Sequence, residues 1–196
     1  KFYGFSEKPF NTTPDSKFFF PSAKHTEALN SLIYAISERK GFVVITGEIG
    51  AGKTTICRTL INKLDTNTKV ALITNTHLTP KELISEILDE FEIEHKGGTK
   101  QKLLSLLNHF LIKQLAEDTN VVLIIDEAQN LSPKVLEEVR MLSNLETEKE
   151  KLIQSFKGPN VEIKFLKIPG QLKEKAWRWR VSWFEKMLEK ADVFYA

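Results

Sequence analysis

Gly47-Glu48-Ile49-Gly50-Ala51-Gly52-Lys53-Thr54 is the stretch on which the fold turns. Gly47 and Gly52 bracket four residues, and Lys53-Thr54 follow directly, which is the G-x-x-x-x-G-K-[ST] spacing of a phosphate-binding loop. Glycines there permit backbone angles that turn successive N–H groups inward around phosphate oxygens. The context fits the mechanism. Phe42–Thr46 before the loop is a short apolar, β-branched run, as expected of a strand buried on both faces of a parallel sheet. Lys53–Leu64 after it reads as a helix, whose positive N-terminus adds to the same anion site. The loop therefore predicts a site for the phosphates of ATP built from Gly47, Glu48, Ile49, Gly50, Ala51, Gly52, Lys53, Thr54 and Thr55. Lys53 is expected on the β- and γ-phosphates and the Thr54 hydroxyl on Mg²⁺.

A second piece lies downstream at Val121-Val122-Leu123-Ile124-Ile125-Asp126-Glu127-Ala128. A buried strand ending in an acid puts that carboxylate at the C-terminal edge of the sheet, where open α/β sheets bind ligands. Asp126 is the expected partner of the Mg²⁺. Glu127, one residue on, is suited to take a proton from an attacking water as general base.

Between and around these motifs strands alternate with helices. Ser22 caps a helix with Ala28, Leu29, Leu32, Ile33 and Ile36 on one face, and Gly41 follows it. Lys69–Thr74 is a second strand, Pro80–Phe91 a helix opened by Thr79, and Lys100–Ala116 a further helix behind Gly97-Gly98. Ser132 and Pro133 open another helix, expected to run to about Glu146. Such alternation predicts an α/β fold with a parallel sheet flanked by helices. Residues 1–22, rich in Phe, Pro, Thr and Ser, read as an irregular N-terminal arm.

Composition narrows the function classes. The single cysteine, Cys57, excludes an internal disulfide, and no apolar run approaches the roughly 20 residues of a membrane-spanning helix. The net charge of +2 hides an asymmetry: residues 151–196 carry 10 Lys/Arg against 5 Asp/Glu, the first 150 carry 18 against 21. The body thus gives no strong nucleic-acid signal. His25, His77, His95 and His109 lack metal-ligand spacing and read as structural or solvent-facing. Cys57 reads as core packing, Arg140 as a solvated residue or one reaching a neighbouring subunit, and Asn75 as a turn residue or one near the γ-phosphate.

The ordered blocks around these motifs resemble a known family. Phe2-Tyr3-Gly4-Phe5, Pro9-Phe10, Thr13-Pro14-Asp15, His25-Thr26-Glu27-Ala28-Leu29, Asp126-Glu127-Ala128-Gln129-Asn130-Leu131 and Leu136–Thr147 are similar to the AAA+ ATPase domain of the general secretion pathway protein A family. The resemblance runs from residue 2 to about 154. It implies an AAA+ core over 23–154 that forms homo-oligomers around ATP and Mg²⁺ and hydrolyses ATP to support assembly of a secretion or pilus apparatus. It also implies a cytoplasmic ATPase domain in an inner-membrane-anchored parent, with envelope partners and with peptidoglycan bound only through a region beyond this sequence. Related helper ATPases of transposons make a DNA-transaction role the alternative, and a nucleotide binder with little turnover is another.

Past Gln154 the match stops. The family's apolar sensor strand, its Gly-Gln-Pro-like turn and its helical lid are expected to be absent, leaving the core C-terminally incomplete. Ile168-Pro169-Gly170-Gln171-Leu172 resembles the turn faintly. Residues 155–196 are a basic tail holding Trp177, Trp179 and Trp183. The tail has two readings. Apolar residues at helical spacing from Leu172 to Leu188 suit a membrane-surface or partner-binding helix, and the abrupt change in composition suits a shifted reading frame.

Overall fold

A run of apolar residues buries itself only if elements cover both of its faces, and residues 43–45 and 120–125 are buried in that way. The structure, a computed structural model, describes residues 19–39, 42–142, 162–166 and 192–195. The arm before residue 19 and the Trp-rich stretch 167–191 lie outside the described residues.

Five strands form one sheet: β1 (Phe42–Thr46), β2 (Thr68–Ile73), β3 (Asn120–Ile125), β4 (Glu162–Leu166) and β5 (Asp192–Tyr195). Their spatial order is β2-β3-β4-β1-β5 and every pairing is parallel. The register aligns Ile73 with Ile125, Ile125 with Phe165, Ile45 with Leu166 and Thr46 with Tyr195. All five strands therefore end along one edge.

The period-2 alternation of a strand divides its side chains between two cores. Val43, Ile45, Val122 and Ile124 pack with Ala28, Leu29, Leu32, Ala35 and Ile36 of α1 (Ala23–Ser37) and Ile56, Cys57 and Leu60 of α2 (Lys53–Lys63). Val44, Ala71, Ile73, Leu123 and Ile125 face the other way. They meet α3 (Pro80–Glu90), α4 (Lys100–Ala116) and α5, a helix described over 133–142. The result is a helix–sheet–helix sandwich. Each fully buried Leu or Ile in it contributes about 1.5–3 kcal/mol relative to exposure.

Local signals set the helix ends. Ser22 accepts the His25 N–H at the start of α1. Thr79 and Glu82 form a reciprocal capping box with Pro80 at the first turn of α3. The Glu82 carboxyl is held below its ordinary range, first by the Thr79 backbone N–H. Thr99 caps α4 by accepting from the Lys102 N–H.

The sequence reading closes the sheet-forming part near residue 154, and here the structure differs. β4 inserts between β3 and β1, and β5 extends the far edge beside β1. Both come from the stretch that composition sets apart. Their sequences conceal them for a physical reason. Glu162-Ile163-Lys164-Phe165-Leu166 alternates charged with apolar residues, whereas a central parallel strand normally reads as a continuous apolar run. Asp192–Tyr195 is four residues long and carries almost no periodic signal. β4 ends two residues before the Ile168–Leu172 turn, which lies outside the described residues.

Candidate nucleotide site

The loop after β1 and the turn after β3 leave the same edge of the sheet with β4 between their strands. Neighbouring strands lie about 4.8 Å apart, so β1 and β3 are separated by roughly 10 Å. A contact between the two motifs must span that gap. α2 supplies it: Thr54, in its first turn, donates its hydroxyl to Asp126 Oδ2 at 2.9 Å across 72 residues of sequence.

Around this contact the loop is shaped by backbone. Gly50 and Gly52 take left-handed angles, φ +82° and +79°, which residues with a Cβ seldom adopt. Gly52 is the N-cap of α2, and its carbonyl accepts the Ile56 N–H at 2.9 Å. The Lys53 side chain is buried, only 4% exposed, and curls back over the loop. Its Nζ donates to the Gly47 carbonyl at 2.9 Å and to the Glu48 carbonyl. A buried ammonium needs acceptors, and the loop's own carbonyls supply them. Ile49 at the tip is 80% exposed.

The acidic turn is shaped by side chains. Asp126 is buried and uses both oxygens as acceptors: Oδ2 takes the Thr54 hydroxyl, Oδ1 the Glu127 N–H at 3.0 Å. Its own N–H continues the ladder to the Ile73 carbonyl at 2.9 Å. Glu127 sits at φ +56°, left-handed without being glycine. Such angles cost of order 1–3 kcal/mol and collect at functional sites. A short 3-10 turn, Ala128–Asn130, follows it, and within that turn Gln129 donates its Nε2 to Glu127 Oε2.

Thr54 and Asp126 are hard oxygen donors side by side. That pair suits Mg²⁺, which takes few protein ligands and completes its shell with phosphate and water. Among the described residues no group of three or more His, Cys, Asp and Glu could hold a metal by itself.

The weaker sequence candidates fall into place. The Asn75 Oδ1 accepts the His77 N–H at 3.2 Å, a turn role. Arg140 forks onto Glu137 at 3.0 Å, and that hydrogen-bonded partner raises the guanidinium's pKa. Cys57 is buried, and desolvation, with the Asp126 charge second, pushes its thiol far above the ordinary range, so it packs rather than reacts. His95 pairs with Asp89 at 3.1 Å, away from this edge. Two residues were missed for the site. His25 reaches the loop, its Nε2 lying 2.9 Å from the Ala51 carbonyl, and Gln129 reaches Glu127. Neither spacing announces its contact, since one depends on tertiary packing and the other on a strained turn.

The comparisons with known proteins agree with this architecture. The model of the AAA domain family matches residues 36–158. The chain belongs to that family. General secretion pathway protein A of Aeromonas hydrophila is 43% identical over 155 residues, 79% of this chain. The family resemblance read from the sequence blocks is thereby borne out for the AAA domain. The chain spans 28% of that relative's length. Two solved structures share the fold. The Aeropyrum pernix ORC2 protein, in ADPNP-ADP complexes, superposes with a TM-score of 0.63 at 16% identity, covering 96% of this chain and 51% of that one. Cdc6p of Pyrobaculum aerophilum gives 0.59 at 19% identity, covering 92% of this chain and 49% of that one. The AAA domain thus has the P-loop α/β fold, a parallel sheet between helices. Among its described residues no helix is long and apolar enough to cross a membrane.

Proposed function

We propose that this chain is the ATP-binding and hydrolysing part of a longer protein that serves a secretion or pilus apparatus of the bacterial envelope. The contact of Thr54 with Asp126 supports it above all, because it joins the glycine loop and the acidic strand end into one site. Gly47, Glu48, Ile49, Gly50, Ala51, Gly52, Lys53, Thr54 and Thr55 wrap the phosphates through N–H groups, the Lys53 ammonium and hydroxyls. Lys53 exchanges the carbonyls of Gly47 and Glu48 for β- and γ-phosphate oxygens, a stronger, charge-assisted bond. Thr54 and Asp126 would hold Mg²⁺, which when bound would neutralise phosphate charge. Glu127 takes the proton of the attacking water, and Gln129 donates to one of its oxygens.

The secretion role is taken from the 43% identical general secretion pathway protein A. The charge balance of the first 150 residues, 18 basic against 21 acidic, supports it over a DNA-transaction helper, which needs clustered cations. Assembly of copies around ATP, an anchored parent and envelope partners complete the proposal.

The test is nucleotide affinity with and without Mg²⁺ in the natural chain and in Asp126→Asn. The natural chain should bind ATP more tightly with Mg²⁺, and the variant should lose most of that gain. Identical Mg²⁺ dependence in both would remove Asp126 from the site.

A further inference from the structure

We propose that His25 is a positioning residue of the phosphate loop: from the first turn of α1 it holds the Ala51 carbonyl and so aims the Gly52 N–H at the nucleotide. The inference deepens the phosphate-binding reading and rests on it. A carbonyl oxygen only accepts, so the 2.9 Å contact between His25 Nε2 and Ala51 O requires the proton on Nε2. The residue is held at both its backbone and its ring. Its backbone N–H caps onto Ser22 Oγ at 3.3 Å, and Phe19 lies tilted against it with centroids 5.5 Å apart. A Cβ built on Gly52 would lie 3.3 Å from Nε2, so the imidazole packs directly against the loop's last glycine.

The consequence follows from peptide geometry. The chain has no cis peptide bonds among the described residues, and a trans peptide points its C=O and its N–H in opposite directions. Drawing the Ala51 carbonyl toward α1 therefore turns the Gly52 N–H of the same peptide away from α1. That N–H stands immediately before Lys53, where the first free donors of α2 gather and an anion is received. Without His25 this peptide can rotate, since left-handed glycine at 52 restricts it little. His25 thus spends one neutral hydrogen bond on orienting a donor before any phosphate arrives.

The test measures fluorescently labelled ADP affinity and melting temperature for the natural chain, His25→Ala, His25→Gln, His25→Asn, Asn120→Ala and Lys53→Ala. Asn120 is the control, because its buried amide ties the other end of α1 by donating to the Ile36 carbonyl at 3.0 Å, away from the loop. His25→Ala should bind ADP about three- to tenfold more weakly, the size of one lost neutral hydrogen bond. Gln, whose amide nitrogen stands near the position of Nε2, should recover most of it, and the shorter Asn should not. Asn120→Ala should melt lower with affinity unchanged. Natural affinity in His25→Ala beside a weakened Lys53→Ala overturns the role of His25 alone. Equal losses in His25→Ala and Asn120→Ala show that α1 acts only through stability, which also overturns it. If His25→Ala does not fold, equal affinities for the Gln and Asn variants decide against the proposal. Unweakened binding in Lys53→Ala removes the phosphate-loop reading and this inference with it.

Discussion

The loop after β1 and the turn after β3 meet at one edge but are made by opposite means. The first is written in backbone: Gly50 and Gly52 at positive φ, carbonyls of Gly47 and Glu48 gathered on Lys53, and an exposed tip at Ile49. The second is written in side chains: buried Asp126 accepting at both oxygens, and Glu127 held at a left-handed angle that it tolerates poorly. A backbone cradle tolerates changes at most side chains and few changes at its glycines. An acidic turn tolerates change at neither carboxylate. That contrast can be broken or sharpened by substitution.

The largest effect is expected at Glu127. Glu127→Gln keeps shape and nucleotide affinity but cannot take a proton, so single-turnover hydrolysis should fall about 10²–10⁴-fold. A fall in affinity with turnover per bound ATP unchanged would make the residue structural. Next is Lys53→Ala, which removes a charge-assisted contact and should weaken ATP binding roughly ten- to hundredfold, read by titration with labelled nucleotide.

The glycines separate conformational strain from crowding. Gly50→Ala meets open space and should cost only the left-handed penalty of about 1–2 kcal/mol, measured by denaturant unfolding. Gly52→Ala carries the same penalty plus a Cβ 3.3 Å from the His25 ring, and should unfold at lower denaturant than Gly50→Ala. Equal midpoints would mean that His25 yields freely. The smallest effect is expected at Ile49→Ser, within about 0.5 kcal/mol by the same measurement, because that side chain is 80% exposed. A large loss there would show that the tip is not solvent-facing.

Legibility followed signal strength. Helix caps at Ser22 and Thr79 could be named from the sequence because a cap is a local hydrogen bond between residues three apart. The apolar runs of β1 and β3 were legible because strands buried on both faces admit little else. β4 and β5 were not, since pairing between strands far apart in sequence, rather than composition, makes them strands.

By itself the sequence determined the parts: a glycine loop with Lys53 and Thr54, an apolar strand ending in Asp126-Glu127, and the alternation that demands a parallel sheet. Each is local, being set by backbone freedom, side-chain chemistry and periodicity within a dozen residues. Only the tertiary structure decided which parts touch. It set β4 between the two motif strands, carried Thr54 across to Asp126, and brought His25 from α1 onto Ala51. Those contacts depend on strand order and on helix packing over the sheet edge. No short-range pattern encodes either, because burial of whole faces fixes both at once.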